Sequence, residues 1–360
     1  MKLSLFEFKL LQSLIASHPT LRRDDICLVV ANRATRDISF YTMRDFPKFF
    51  NPYDTVIIND TRVARSHLRA LKEKTNSTVD VVFLREIDPN HHLYEVSLDP
   101  ARKIRIGNKL HLGGVKVHPD GTVESLLRAS VIDNTESRGR TLLVDYKGSS
   151  EELNQILFQQ LGHPPIPSFM GRSHEPIDKQ RYQTVYAKHR GSVAPPSAGF
   201  AFTPYLLKYL ELHDVHIAPI TLHLSINRFK TIEAEELNKF RVDSEYYNIP
   251  AKTAEMVNQC LLRPKNKICV VGTSSLKAVE SAISYEDNLK AGDGMSCLFL
   301  HPPFKPKIAT SLLTGFHNPR TIDFVNFLAF AGHDFGMEIY EHALEDGLRF
   351  GPYGDVVLVL

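Results

Sequence analysis

The sequence predicts an α/β fold: a larger α/β domain with a mostly parallel sheet, plus an inserted small antiparallel β-barrel domain. Three observations predict it. Short β-branched runs alternate with helical patterns near both ends of the chain, as strands joined by crossover helices do. Between about Arg65 and Tyr146 the pattern changes to short alternating segments punctuated by Gly, Asn, Asp and Pro, which read as antiparallel strands and turns. After Gly148 the helices return. The expected division is a discontinuous α/β domain at residues 1–64 and 148–360, with the barrel at 65–147.

Taken in order, the first strong strand signal is TVII at residues 55–58, leading into Asn59-Asp60-Thr61-Arg62. In the middle stretch TVDVVFL, LYEVSL, KIRIGNKLHLGG, LRASVIDN and RTLLVDY follow one another, and HPDGTV marks a turn. SSEELNQILFQQLG opens a helix, because Ser149 with Glu152 three residues on makes a capping box. Gly162 is its expected stop. A proline-rich connection leads to GSVAPPSAGFAFTP at residues 191–204. There the glycines permit close backbone approach, and Pro195-Pro196 stiffens the loop, so the stretch reads as a rigid pocket wall. Thr203 is placed as an N-cap and Pro204 at the first helical position, with Leu206, Leu207 and Leu210 facing inward. HIAPITLHLSI is a strand carrying Ile220, Leu222 and Leu224 on one face and Thr221, His223 and Ser225 on the other. KICVVGTSSLKAVESAI is a strand, turn and helix whose core face is Leu276, Val279 and Ile283. TSLLTGFHNPRTIDFVNFLAF repeats that logic. The last helix stops at Gly347, and DVVLVL closes the chain as a buried strand.

Bulk properties narrow the class. The chain has 360 residues, 43% of them hydrophobic, enough for two cores. Lys and Arg number 43 against 41 Asp and Glu, a net charge of +2, which neither demands nor excludes nucleic acid. The four cysteines, Cys27, Cys260, Cys269 and Cys297, form no CxxC. That disfavours a zinc site or disulfide framework and fits a cytoplasmic setting. The N-terminus mixes apolar and charged residues unlike a signal peptide, and no apolar run is long enough to span a bilayer. GxGxxG, GxxxxGK[ST], HExxH and GxSxG are all absent. Neither a metal nor a bound cofactor is expected.

Four strand-end turns carry polar groups where an α/β sheet takes its ligand: Asn59 to Arg62, Gly272-Thr273-Ser274-Ser275, Thr314-Gly315-Phe316-His317, and Tyr353-Gly354-Asp355. The second also offers free N–H groups at a helix N-terminus, suited to a carboxylate or phosphate. Residues alone lead to an α/β protein that binds a small polar ligand.

Whole segments go further. YDTVIINDTRVARSHLRA, DPARKIRIGNKL, VIDNTESRGRTL, RYQTVYAKHRGSVAPPSAGFAFT, ITLHL, DSEYY, VVGTSSLKAVESA, LLTGFHNP and LRFGPYGDVVLVL run collinearly through the chain. Together they resemble the S-adenosylmethionine:tRNA ribosyltransferase-isomerases of queuosine biosynthesis. The resemblance implies an α/β fold with an inserted barrel. It also implies transfer and isomerisation of the ribosyl part of S-adenosylmethionine onto 7-aminomethyl-7-deazaguanine in a tRNA anticodon wobble position. Epoxyqueuosine-tRNA, adenine and methionine would be the products. S-adenosylmethionine would be a consumed co-substrate, the modified tRNA the other partner, and the protein a monomer without membrane contact.

The resemblance also implies roles. Asp60 would act as a base or meet the sulfonium, with Asn59, Thr61 and Arg62 shaping the pocket. His223 and His317 are acid/base candidates. Asp243 and Glu245, with Ser244 between them, would offer negative charge to a cationic substrate. Gly272, Thr273, Ser274 and Ser275 would take the methionine carboxylate. Gly191, Ser192, Ala198 and Gly199 would let the backbone approach a nucleoside, and Tyr353 would stack on a base beside Asp355. Arg65, Arg69, Arg172, Arg181 and Lys188 would track tRNA phosphates.

The chain departs from the family pattern at particular places. Ala201 stands where a histidine is expected. Ser225-Ile226-Asn227-Arg228-Phe229 replaces a glycine-rich turn, Lys277 an arginine, and Cys27 the end of an Arg-Asp-x-Ser-Arg pattern. Gly315-Phe316-His317-Asn318-Pro319 replaces Asn-Phe-His-Leu-Pro. Two alternatives share the fold: a related S-adenosylmethionine- or nucleoside-dependent enzyme with another substrate, and a non-catalytic tRNA- or nucleoside-binding protein.

Overall fold

Runs such as CLVVA, TVIIN, ICVV and VVLV have no polar face. In the computed structural model, which describes residues 1–119, 123–135, 139–229 and 231–360, they form strands buried on both sides. In chain order the strands are β1 (Cys27–Ala31), β2 (Ile38–Thr42), β3 (Thr55–Asn59), β4 (Thr61–Val63), β5 (His67–Lys72), β6 (Thr78–Asp88), β7 (Leu93–Asp99), β8 (Lys109–Leu112), β9 (Lys116–Val117) and β10 (Val123–Glu124). They continue as β11 (Leu127–Asn134), β12 (Arg140–Asp145), β13 (His189–Ser192), β14 (His216–Leu222), β15 (Glu245–Ile249), β16 (Ile268–Val271), β17 (Gly292–Ser296), β18 (Ser311–Gly315) and β19 (Val356–Val359). The α-helices are α1 (Ser150–Gln155), α2 (Asp178–Arg181), α3 (Pro204–Leu212), α4 (Ala251–Leu261), α5 (Thr273–Ser281), α6 (Ile322–Ala331) and α7 (His333–Glu345).

The larger unit comprises Met1–Val63, Pro167–Ser173 and Gln180–Leu360. Its nine-stranded sheet has the order β17-β15-β14-β3-β16-β18-β19-β1-β2. β14, β3, β16 and β18 are mutually parallel, and β19 pairs parallel with β1. The pairings β17 with β15, β15 with β14, β18 with β19 and β1 with β2 are antiparallel. The sheet is therefore mixed, which corrects the expectation of a mostly parallel one. The cause lies in the connections. A single crossover helix reverses the chain and returns it parallel. Between β18 and β19 there are two helices, α6 and α7, so the chain comes back to the edge it left. Between β14 and β15 there is no α-helix, with the same result.

Alternate residues of the strands feed two cores. Ile57, Ile220, Val270, Leu312 and Val357 pack with Val257, Val279, Phe324 and Ile339 of α4 to α7. Val56, Ile58, Val271, Leu313 and Leu358 pack on the other face with Phe46, Phe202 and with Leu206 and Leu210 of α3. α3 begins as read, with the Thr203 hydroxyl accepting the Leu206 N–H at 3.1 Å. Leu276 and Val279 face the core, but α5 ends at Ser281, short of Ile283. Gly347, just past α7, takes a left-handed φ of +68°.

The smaller unit comprises Ala64–Ile166 and His174–Lys179. β11, β12, β7, β6, β5 and β8 close into an antiparallel barrel. Its interior is filled by alternate residues such as Leu68, Val81, Tyr94, Leu110, Val131 and Leu142. β9 and β10 form a separate small ribbon. The Asp120-Gly121 turn read between them lies outside the described residues. This unit runs past the segment 65–147 because Leu153 and Leu157 belong to its core. α1 carries the capping box: the Glu152 N–H donates to Ser149 Oγ at 3.2 Å, and the Ser149 N–H to Glu152 Oε2 at 3.0 Å. Gly162 is not a left-handed stop, as its φ is −72°. Glycine is needed there for space, because a Cβ would lie 1.8 Å from the Arg65 carbonyl oxygen.

Candidate active site

Strand order explains why distant turns meet. β14, β3, β16 and β18 run side by side in one direction, so their carboxyl ends share one edge of the sheet. β15 runs the opposite way beside β14, which brings its first residue, Glu245, to that edge. β19 and β1 also oppose the central strands, so Asp355 and Cys27 at their starts lie there as well. This is the edge at which open α/β sheets bind ligands.

Asp60 follows β3 and is 8% exposed. Its Oδ1 accepts the Thr221 hydroxyl at 2.6 Å, and its Oδ2 lies 3.6 Å from Nε2 of the exposed His189. The carboxylate is thus oriented by one partner and open toward another. Asn59 is wholly committed to structure. Its Oδ1 accepts the N–H groups of Thr61 and Leu222, and its Nδ2 donates to the Leu222 carbonyl and Ser274 Oγ. It therefore ties β3, β14 and α5 together, and its amide is already occupied. Thr61 Oγ1 lies 2.7 Å from His223 Nδ1. The exposed Arg62 donates to the Ala187 carbonyl. His223 stacks on Tyr246 with centroids 5.6 Å apart. Burial lowers the His223 pKa, and the nearby His189 lowers it further, against the opposing pull of Asp60. Gly191, at φ +148°, passes so close that a Cβ there would lie 2.6 Å from His223 Nε2.

Beside this lies a buried ionic group. Glu245 Oε1 accepts Arg228 Nε at 3.3 Å and the Ser225 N–H at 2.8 Å. Its Oε2 accepts Arg228 Nη2 at 3.1 Å and Lys277 Nζ at 2.8 Å. Arg228 Nη1 also donates to Asp323 Oδ1, which in turn accepts the Thr273 hydroxyl at 2.6 Å. Burial alone would raise the Glu245 carboxyl, but Arg228 and Lys277 outweigh it and hold it down at about 2. Burial likewise opposes charge on Arg228, and Asp323 and Glu245 more than restore it. The Lys277 ammonium is lowered by burial, only partly offset by Glu245. A carboxylate so held is a poor proton acceptor near neutral pH. Glu245 anchors two cations, Arg228 and Lys277. The two departures at Arg228 and Lys277 thus meet on one acid.

His317 closes the edge beyond β18. Its Nε2 lies 2.9 Å from Thr314 Oγ1, and its N–H donates to Tyr340 Oη at 2.8 Å. Burial lowers its pKa. With Arg228, Asp323, Pro195 and Asn318 it lines a cleft of about 60 Å³. Asn318 Oδ1 is buried with no hydrogen-bond partner among the described residues, so this cleft holds an unmet acceptor.

The other expected residues divide between ligand-facing and internal work. Gly272 caps the start of α5, and its φ of +85° suits glycine. The Ser275 hydroxyl bonds back to the Val271 carbonyl at 2.7 Å and the Thr273 hydroxyl donates to Asp323, so the helix start offers a carboxylate its backbone N–H groups rather than these two hydroxyls. Ser192 Oγ accepts the Leu224 N–H and donates to the Ala194 carbonyl, pinning the 191–204 stretch to the chain leaving β14. Ala198 and Gly199 are buried, and a Cβ on Gly199 would meet Tyr186 Oη at 2.1 Å. Tyr353 packs on Phe200 at 5.5 Å and, like Ala201, is buried. Asp355 accepts the N–H groups of Cys27 and Arg349 and the Arg349 guanidinium, so it braces β1 and β19 rather than facing a ligand. Asp243 is half-buried in the segment before β15.

The basic residues divide the same way. In the larger unit Arg172 donates to the Ser17 carbonyl, and Arg181 to the carbonyls of Leu21 and Thr20. Both serve as struts. Lys188 is exposed, and its N–H donates to the Asp60 carbonyl. In the smaller unit Arg65 donates to the Gly162 carbonyl, and the exposed Arg69 lies 3.7 Å from Asp80. Among the described residues no group of three or more His, Cys, Asp or Glu is placed to hold a metal ion, and no helix is long and apolar enough to cross a membrane. His189, Thr221 and Asp323 are site residues that motif reading passed over. Alternation along β14 marks Thr221 as facing with His223, but nothing local marks the other two.

Fold and edge define an α/β protein with a held carboxylate, a histidine of lowered pKa and a helix start along one edge of its sheet. The chain belongs to the queuosine biosynthesis protein family, whose model matches residues 3–359. It is 43% identical over the full length of both chains to an S-adenosylmethionine:tRNA ribosyltransferase-isomerase of Amoebophilus asiaticus. It is 39% identical, again over both full lengths, to a protein of that name from Cytophaga hutchinsonii. The crystal structure of S-adenosylmethionine tRNA ribosyltransferase from Thermotoga maritima aligns with 99% of this chain and 100% of its own at a TM-score of 0.53 and 23% identity, a likeness of fold.

Proposed function

We propose that this protein transfers the ribosyl moiety of S-adenosylmethionine to a tRNA and isomerises it. The acceptor is 7-aminomethyl-7-deazaguanine at the anticodon wobble position. The products are epoxyqueuosine-tRNA, adenine and methionine. S-adenosylmethionine is a consumed substrate, and the protein works in the cytoplasm as a monomer.

The observation that carries this reading is Asp60, oriented by Thr221 and flanked by His189 and by the Thr61–His223 pair. The sulfonium acidifies the ribose C5′ protons, so a positioned base starts the reaction. Once C5′ is deprotonated, adenine departs with the glycosidic electron pair. The tRNA amine then attacks the sugar, and methionine leaves as the epoxide closes. Asp60 supplies the negative charge beside the sulfonium and the base. His223 stands ready to protonate or deprotonate nitrogen. The start of α5 receives the methionine carboxylate. The protein contributes position and electrostatics.

Adenine release from labelled S-adenosylmethionine in the presence of the modified tRNA tests this. Asp60→Asn, folded as judged by its melting curve, should lose turnover by at least about 100-fold, the lower end of what a general base contributes. Full activity in that variant would remove Asp60 from the mechanism.

A further inference from the structure

A second and larger cleft, of about 670 Å³, lies in the same unit and is used by nothing above. Its walls are the segment 237–242 and the end of β17 with the residues after it, and its floor is the end of α5. It opens where the candidate site ends. Ser296 pairs with Glu245 across β15 and β17, and Ser281 is the last residue of the helix that starts at Thr273.

The lining carries aromatic rings. Phe240 and Phe299 are half-buried with centroids 5.4 Å apart, and His301 lies 5.5 Å from Phe299. Met295 is 61% exposed. Arg241 is exposed beside them. Glu280, the carboxylate in the lining, is occupied by the N–H groups of Lys307, Ile308 and Ala309. His301 Nδ1 donates to the Pro302 carbonyl, which leaves Nε2 as an acceptor in the neutral ring. Half-buried rings with an adjacent cation are the makeup of a site for an unstacked base and its phosphate.

Resting on the function proposed above, we propose that this cleft receives a nucleobase of the RNA substrate adjacent to the base being modified. The base lies against Phe299 and His301, and Arg241 meets the backbone. The cleft then sets RNA affinity and register, while the chemistry stays at Asp60.

Two measurements test it. The double variant Phe299→Leu with His301→Ala keeps apolar volume at residue 299 and removes both rings. It should raise the KM for an RNA stem-loop carrying the aminomethyl base by about tenfold. Its kcat, its KM for S-adenosylmethionine and its melting temperature should stay at wild-type values. In the unsubstituted protein Cys297 is exposed in this cleft, whereas Cys260 and Cys269 are buried and Cys27 is half-buried. Saturating stem-loop should slow iodoacetamide modification of Cys297 at least about fivefold, and S-adenosylmethionine alone should not. An unchanged RNA KM in the folded double variant, or Cys297 modified at the same rate with and without RNA, overturns the proposal. If the wild-type protein shows no turnover, the reaction assignment fails instead, and Cys297 protection still decides the cleft.

Discussion

Asp60 and His223 differ in how they are held, and each difference has a measurable consequence. Asp60 depends on Thr221 for its orientation. Thr221→Val should therefore keep the fold and lower kcat by about tenfold, less than loss of the carboxylate itself. A Thr221→Val enzyme with wild-type kcat would mean that the hydroxyl does not orient the base. His223 is kept neutral by burial and by the charge of His189. Its neutral ring persists below the ordinary histidine value of about 6.5. The acid limb of kcat/KM should thus lie below that value, and His189→Ala should move it to higher pH. A limb unmoved by that substitution would exclude His223 as the titrating group. The sequence exposes Asp60, His223 and Glu245 because each stands next to a strand in a run of like character. It does not reveal that Arg228 and Asp323 meet, since they are 95 positions apart and only the folded edge joins them.

At the scale of elements, local signals were legible and directions less so. The caps at Ser149 and Thr203 follow from a few neighbouring residues, and both are present. Thr203→Ala should cost about 1 kcal/mol in urea unfolding. The antiparallel entry of β19 was not legible, because it depends on α6 and α7 forming a pair of helices rather than one crossover. The clamp joining β15, α5, α6 and the 225–229 turn is a further element-scale feature. Glu245→Gln leaves Arg228 with one carboxylate, Asp323, and takes from Lys277 the carboxylate that its Nζ meets, and should destabilise by about 3–5 kcal/mol. In the smaller unit His163 stacks on His174 at 3.6 Å and has its pKa lowered to about 4, by burial first and then by the charge of His174. The fold therefore prefers the neutral ring. Stability from this ring is complete above about 6.5 and declines as the pH falls from there toward about 4. Chemical denaturation of His163→Phe should show a shallower loss across that window than the wild type. An identical slope would assign the acid sensitivity to other groups.

The whole molecule is two units with separate cores, an open mixed sheet and a closed barrel. The change from strand-helix alternation to short alternating segments marked both in the sequence. Collinear segments along the chain marked the family, and the family model covers residues 3–359. The departures from the pattern do not all fall in one place. Arg228 and Lys277 share Glu245, and Ala201 is buried in the core beneath α3. With these substitutions in place Asp60 meets Thr221 at 2.6 Å and His223 meets Thr61 at 2.7 Å, an arrangement that supports the family reaction on this chain. The most direct measurement is the stoichiometry of a single incubation with S-adenosylmethionine and tRNA bearing 7-aminomethyl-7-deazaguanine. Adenine, methionine and epoxyqueuosine-tRNA should form in equal amounts. Tight tRNA binding without adenine release, or adenine release without modified tRNA, would contradict it.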